Sequence, residues 1–116
     1  MVEEGMVGVT RSPFAVVLGL SPTGLYVVRE LGRARVPVVG VSRKAQSGGV
    51  SKYLDDYRIC ESDHEMLDFL VRRFAGEQSK PVLIPNTDRD IDFVCDHAQV
   101  LSRHFAFQES CSNGLA

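Results

Sequence analysis

The chain has 116 residues, the length of a single domain. Its composition, 44% hydrophobic and 24% charged, is that of a folded domain with a real core and excludes intrinsic disorder. A formal net charge of −2 gives no electrostatic reason to expect nucleic acid as a partner. No apolar run approaches the roughly 20 residues that a membrane-spanning helix needs, so no membrane partner is expected.

The first residues of the chain and its cysteines indicate the cellular compartment of the protein. Residues 1–13 are acidic, contain two glycines and lack the basic start of a signal peptide, so we expect a flexible leader. Cys60, Cys95 and Cys111 are odd in number and form no CxxC pair, so neither a disulfide framework nor a zinc site is predicted. These observations together predict a cytoplasmic protein with reduced thiols.

The first strand and helix patterns follow this leader. Residues 14–18 form a continuous apolar run, typical of a strand buried on both faces of a parallel sheet. Ser21 as N-cap and Pro22 at the first helical position predict the start of a helix. Its apolar stripe consists of Leu25, Val28 and Leu31. With a second strand at 38–41, this is a βαβ unit, for which the crossover is right-handed.

The same alternation continues through the middle of the chain. A loop at residues 45–51 precedes a short third strand at 57–60. Residues 62–65 read S-D-H-E, a capping box that opens the second helix. The apolar stripe of that helix consists of Met66, Leu67, Leu70 and Phe74. The fourth strand is predicted at 81–85.

A last helix, capped by Thr87 or Asp88, follows the fourth strand. Its predicted inner face consists of Ile91, Val94, Cys95, Ala98 and Leu101. Residues 105–107 have the pattern of a short fifth strand, and residues 109–116 that of a frayed tail. The domain is therefore expected to span residues 14–108.

Alternating strands and helices predict an α/β fold, a three-layer doubly wound parallel sheet of four to five strands. The expected strand order is 3-2-1-4, with the fifth strand beyond the fourth. Ligands of such sheets bind at the carboxyl ends of the strands, where the winding direction reverses. Two predicted loops lie there, at residues 19–24 and 86–88.

The loop at 19–24 begins and ends in glycine. Ser21 occupies the place of the central glycine of a dinucleotide fingerprint, which argues against close approach of a pyrophosphate. Leu25-Tyr26 follows where a Walker A motif requires Lys-Ser or Lys-Thr, so a P-loop is excluded. Two interpretations stay open: a weak anion site at the helix N-terminus, or a tight turn that needs glycine only for its backbone.

Polar residues also follow the second and fourth strands. Arg43 and Lys44, after the second strand, either meet a phosphate, as in NADP enzymes, or form a solvated basic strand end. The segment at residues 86–88, Asn-Thr-Asp, either only caps the last helix or also contacts a ligand or a neighbouring domain.

Three segments together resemble a known family. They are VVLGLSPTGLYVVRELGRARVPVVGVSRK, the later Ser51-Lys52-Tyr53, and PVLIPNTDRDIDFVCDHAQVLSRHF. This pattern resembles the N-terminal domain of ATP-grasp enzymes, in the carbamoyl-phosphate-synthase-like and carboxylate–amine ligase branch. That branch has an S-R-Y-like segment, matched here with Lys52 for arginine, and a V-L-I-P-x-x-D segment, matched by residues 82–88. The resemblance covers residues 14–108.

The resemblance implies a Rossmann-like pre-ATP-grasp domain that packs against a downstream ATP-grasp domain and lines the pocket of a small-molecule acceptor substrate. Complete enzymes of the family use ATP and Mg²⁺ to activate a carboxylate as an acyl phosphate, which an amine then attacks. The phosphate-clamping lysines and magnesium carboxylates of the family would lie beyond residue 116. We therefore expect a truncated, non-catalytic part of a ligase, with no cofactor of its own.

The candidate residues face the substrate or a neighbouring domain, and none is assigned as a catalytic, cofactor or metal residue. They are Gly19, Ser21, Thr23, Gly24, Ser42, Arg43, Ser51, Lys52, Tyr53, Asn86, Thr87 and Asp88. Two alternatives stay open: a standalone NADP- or nucleotide-binding Rossmann module, and a dimerisation or interaction module. An exposed apolar patch near Phe105 and Phe107 would favour a homodimer.

Overall fold

The computed structural model describes residues 13–45 and 52–107. Most of the expected leader and all of the expected tail lie outside these ranges. The described strands are β1 (Ala15–Leu18), β2 (Val38–Ser42), β3 (Asp56–Ile59) and β4 (Val82–Pro85). The helices are α1 (Pro22–Arg33), α2 (Asp63–Phe74), α3 (Asp88–Asp96) and α4 (Ala98–Leu101).

The four strands form one parallel sheet in the order β3-β2-β1-β4, which confirms the predicted fold class and strand order. β1 lies at the centre, where Val16 pairs with Val39 of β2 and with Leu83 of β4. The predicted fifth strand is reduced to a single parallel bridge between Val82 and Ala106.

Helices cover both faces of the sheet and make three layers. Val17 and Val28 belong to a small core cluster between the sheet and α1. Val16, on the opposite face of β1, belongs to a larger cluster that includes Leu70 of α2 and Leu101 of α4. Within the described residues, no helix combines the length and apolar character needed to cross a membrane.

The aromatic pair near the end of the domain packs inward. Phe105 is 2% exposed, and its ring meets the Phe74 ring edge-on with centroids 5.4 Å apart. Phe107 is partly buried against the same core. The expected exposed patch is therefore wrong for Phe105, while the homodimer stays a prediction.

The last helix differs from its prediction in two ways. It breaks at His97, which ends α3 and precedes α4. Ile91, predicted on the inner face, is 41% exposed, whereas Phe93 is buried. Thr87 Oγ1 accepts a hydrogen bond from Asp90 N–H and so caps the start of α3. In the helix that starts there, Asp90 and Phe93 face the sheet and are buried.

The capping box at the start of α2 is confirmed in part. Ser62 Oγ accepts a hydrogen bond from Glu65 N at 3.1 Å, as a capping box requires. Glu65 Oε1 accepts its hydrogen bond from Glu61 N–H at 3.0 Å, rather than from Ser62 N–H. The predicted stripe of α2 is buried at Met66, Leu70 and Phe74.

Arg35 has a left-handed backbone, with φ of 66°, where α1 ends. Its N–H donates to Gly32 O and Val36 N–H donates to Leu31 O, the pair of bonds that closes a Schellman motif.

A non-glycine residue in this conformation costs roughly 1–2 kcal/mol. We expect Arg35→Gly to raise the free energy of unfolding in urea by about 0.5–1 kcal/mol. Arg29→Gly, inside the helix, should lower it by about 1 kcal/mol. Equal effects of the two changes would contradict this account.

Candidate functional site

The loops after β1 and β4 meet at the carboxyl edge of the sheet, as predicted for the point where the winding reverses. Asn86, after β4, joins them through its side-chain amide. Its Nδ2 donates to Leu18 O at 3.1 Å and lies 3.4 Å from both Gly19 O and Ile84 O. Asn86 therefore joins the end of β1 to the end of β4. This candidate residue has a structural role, whether or not it also contacts a ligand.

Both glycines of the first loop are required by close packing. Gly19 has a φ of 91°, and a Cβ built there would lie 2.6 Å from Asp90 Oδ2. A Cβ on Gly24 would lie 2.0 Å from Gly19 O, a backbone atom that cannot move aside. The structure therefore supports the interpretation of this loop as a tight turn, whatever it binds.

Asp90 lies at the centre of the carboxyl edge. Its side chain is 5% exposed, and its Oδ2 accepts a hydrogen bond from Thr87 Oγ1 at 2.7 Å. The same carboxylate touches the loop at Gly19. Asp90 is not among the residues predicted from the sequence, although Thr87-x-x-Asp90 has the spacing of a capping box and signals a structured helix start.

Arg43 points into the protein from the end of β2. Its Nη1 donates to Asp63 Oδ1 at 2.5 Å, and its Nε lies 3.8 Å from Asp90 Oδ1. Its guanidinium also lies 5.9 Å from the centre of the Phe93 ring. Because two carboxylates and an aromatic ring surround this charge, it is not presented to a phosphate. The observation that favoured an NADP site is thereby weakened.

Ser42 is also used internally. Its Oγ donates to Lys44 O at 2.8 Å and is 3.1 Å from Tyr57 Oη. Ser42 is buried, whereas Lys44 is exposed. The hydroxyl therefore shapes the end of β2 instead of facing the crevice.

The start of α1 is the open part of this edge. Ser21 occupies the N-cap position, as predicted, but its side chain makes no capping hydrogen bond. The first turn of α1 carries no acidic residue, and Thr23 is exposed. By contrast, Ser62 and Thr87 cap α2 and α3, and both of those helices carry acidic residues in their first turns. Backbone N–H groups at the start of α1 are therefore the donors that this crevice offers.

Lys52 and Tyr53 lie at the opposite edge of the sheet. They precede β3, and the nearby Asp55 exchanges hydrogen bonds of 2.8 Å with the backbone of Val38 at the start of β2. A Cβ on Gly32 would meet the side chain of Tyr53 at 2.3 Å. The structure does not bring Lys52 and Tyr53 together with the carboxyl-edge loops. Ser51, the third residue of that segment, lies outside the described residues.

The cysteines give no support for the cytoplasmic expectation. Cys95 is disulfide-bonded, so the expectation of reduced thiols is wrong for it. Cys60 is free and buried. Burial, aided by the negative charge of Glu65, raises the pKa of the Cys60 thiol, which keeps it protonated and unreactive.

No family model matches the chain, and no curated protein matches it. At the carboxyl edge, contacts within the protein hold the side chains of Asp90, Arg43 and Asn86, whereas the start of α1 has no side-chain cap.

Proposed function

We propose that the chain is the N-terminal, substrate-side domain of an ATP-grasp ligase that joins a carboxylate to an amine through an acyl phosphate. In this proposal the domain does not catalyse the reaction alone. One observation carries it. The two segments that resemble the family at the carboxyl edge, residues 19–24 and 86–88, lie side by side and are joined by the Asn86 amide. Such a crevice is where doubly wound sheets bind ligands.

The proposal divides the candidate residues by their surroundings. Asn86 and Thr87 build the crevice through hydrogen bonds to the protein itself. Ser21, Thr23 and Asp88 remain at its rim and are the residues we assign to the acceptor substrate. Among the described residues, no group of three or more His, Cys, Asp or Glu side chains could hold a metal ion. In this proposal ATP and Mg²⁺ bind the downstream domain, as the resemblance to the family implies.

The coding sequence that follows residue 116 tests this assignment directly. We expect it to continue in frame into an ATP-grasp domain. A stop codon directly after Ala116, in a genome whose ligases all carry their own N-terminal domain, would overturn the proposal.

The 116-residue chain by itself should not turn over ATP. Phosphate release from Mg·ATP, with a panel of amino acids as acceptors, should equal that of a boiled sample. The physical reason is that an acyl phosphate needs phosphate-clamping cations and metal ligands, which the proposal assigns to the other domain. Turnover that survives repurification and scales with protein concentration would contradict it.

A nucleotide-binding module is the second candidate, and the uncapped start of α1 favours it. We still expect weak binding, because Ser21 occupies the place of the central glycine and Arg43 is held by Asp63. Calorimetric titration with NADP and NAD should give a dissociation constant above about 1 mM, or about −4 kcal/mol. A constant near 1 μM would place this candidate first.

A further inference from the structure

Two arginines lie within 4 Å of one carboxylate, that of Asp63 in the first turn of α2. Asp63 Oδ1 accepts from Arg43 Nη1 at 2.5 Å and lies 3.8 Å from Arg89 Nη2. The side chain of Arg43 is 19% exposed and that of Arg89 is 66% exposed. Arg43, which is mostly buried, forms the hydrogen bond with Asp63. Arg89, which is exposed, lies beyond hydrogen-bond distance.

Arg43 is not fully satisfied in this arrangement. Its Nε and Nη2 are enclosed, and neither has a hydrogen-bond acceptor within the described part of the chain. The Oδ1 of the buried Asp90 is 3.8 Å from Nε, beyond hydrogen-bond range. Enclosed donors without acceptors are costly, so an arrangement that pairs them would gain stability.

The same four side chains have a second pairing. A shift of the Arg43 guanidinium by about 1 Å would bring Nε and Nη2 onto the Asp90 carboxylate, in the two-bond geometry that arginine favours. Asp63 would then be free to pair with Arg89, which is already within 4 Å. We propose that Arg43, Asp63, Arg89 and Asp90 form an ion-pair exchange with these two arrangements.

The exchange determines whether the Arg89 guanidinium is presented to solvent or paired with Asp63. In the arrangement described here, Arg89 presents its guanidinium to solvent beside the first turn of α3. In the exchanged arrangement, the Arg89 guanidinium is paired with Asp63. An anion at the mouth would bind the presented arginine and so shift the populations towards the present arrangement. This inference depends on the crevice and not on the ligase proposal.

Side-chain NMR of the ¹⁵N-labelled chain can follow the exchange at the Arg43 Nε–Hε group. Asp63→Asn weakens the shared acceptor and should move Arg43 onto Asp90. We expect its Hε signal to shift downfield and its exchange with water to slow at least tenfold. Arg89→Gln removes the competitor, so the signal should move in the opposite direction. Arg72→Gln is the matched control, since Arg72 is an exposed arginine paired with another helix carboxylate, that of Asp68.

A double-mutant cycle supplies a second measurement. The coupling between Arg43 and Asp90 is obtained from the unfolding equilibrium constants of Arg43→Met, Asp90→Asn and the double variant. We expect this coupling to be at least tenfold larger in an Asp63→Asn background than in the unchanged chain. An Arg43 Hε signal that neither Asp63→Asn nor Arg89→Gln moves would show a static brace and overturn the proposal. If Asp63→Asn fails to fold, Arg89→Gln decides alone, because its side chain is largely exposed.

Discussion

Gly24→Ala is expected to lower the free energy of unfolding by about 3 kcal/mol, in the upper range for overpacking. The new methyl group would lie 2.0 Å from Gly19 O, and this oxygen belongs to the backbone of a tight turn. Alanine gains about 1 kcal/mol over glycine in helix propensity, which is too little to offset such a clash. Relief requires α1 to move away from the end of β1, which would also open the crevice.

Gly76→Ala is the matched control. A Cβ at Gly76 meets nothing within 4 Å, and its backbone is not left-handed. Alanine there should be neutral or stabilise the fold by up to about 1 kcal/mol. Urea unfolding of both variants measures the difference. If Gly24→Ala matched Gly76→Ala, the close approach of α1 to Gly19 would be wrong.

The strand order could be predicted because each connection leaves few choices. The apolar run at residues 14–18 and the strand after Pro37 flank one helix, and a βαβ unit of one hand follows. After β3 the chain crosses back over β1 to reach β4, and a right-handed crossover then puts the next helix on the other face of the sheet. The local patterns and the topological rules agree, and the sheet order β3-β2-β1-β4 results.

The site could be predicted only as far as the sheet edge. The positions of residues 19–24 and 86–88 follow from the ends of strands, which apolar runs reveal. The direction of Arg43 does not, because it depends on carboxylates 20 and 47 residues further along the chain, Asp63 and Asp90. The resemblance adds Lys52 and Tyr53 to the candidate residues, but they precede β3 and so lie at the opposite edge.

The failure at Ile91 has the same origin. A helical wheel ranks residues by their own hydrophobicity, and it places Ile91 inside and Asp90 outside. The structure reverses them: Asp90 is 3% exposed and Ile91 is 41% exposed. A buried carboxylate is tolerated when hydrogen bonds and charges match it, here from Thr87 and Arg43. Arg43 comes from another part of the chain, and a helical wheel considers only the residues of one helix, so it cannot predict this burial.

Gly19→Ala is expected to lower the free energy of unfolding by about 2–3 kcal/mol. Part of this loss comes from the left-handed backbone, with φ of 91°, which costs a non-glycine residue about 1–2 kcal/mol. The rest comes from the contact of the new methyl group with Asp90 Oδ2, at 2.6 Å. Only the second part depends on Asp90, so a double-mutant cycle separates the two.

In that cycle, Asp90→Ala removes the oxygen that the new methyl group would strike. Asp90→Ala is itself destabilising, since Arg43 and Thr87 each lose a partner. The double variant should nevertheless be more stable than the sum of the single losses predicts, by about 1 kcal/mol, the size of coupling that contacting residues show. Strict additivity would mean that Gly19 is required for its backbone conformation alone. The predicted close contact between a side chain at position 19 and the Asp90 carboxylate would then be wrong.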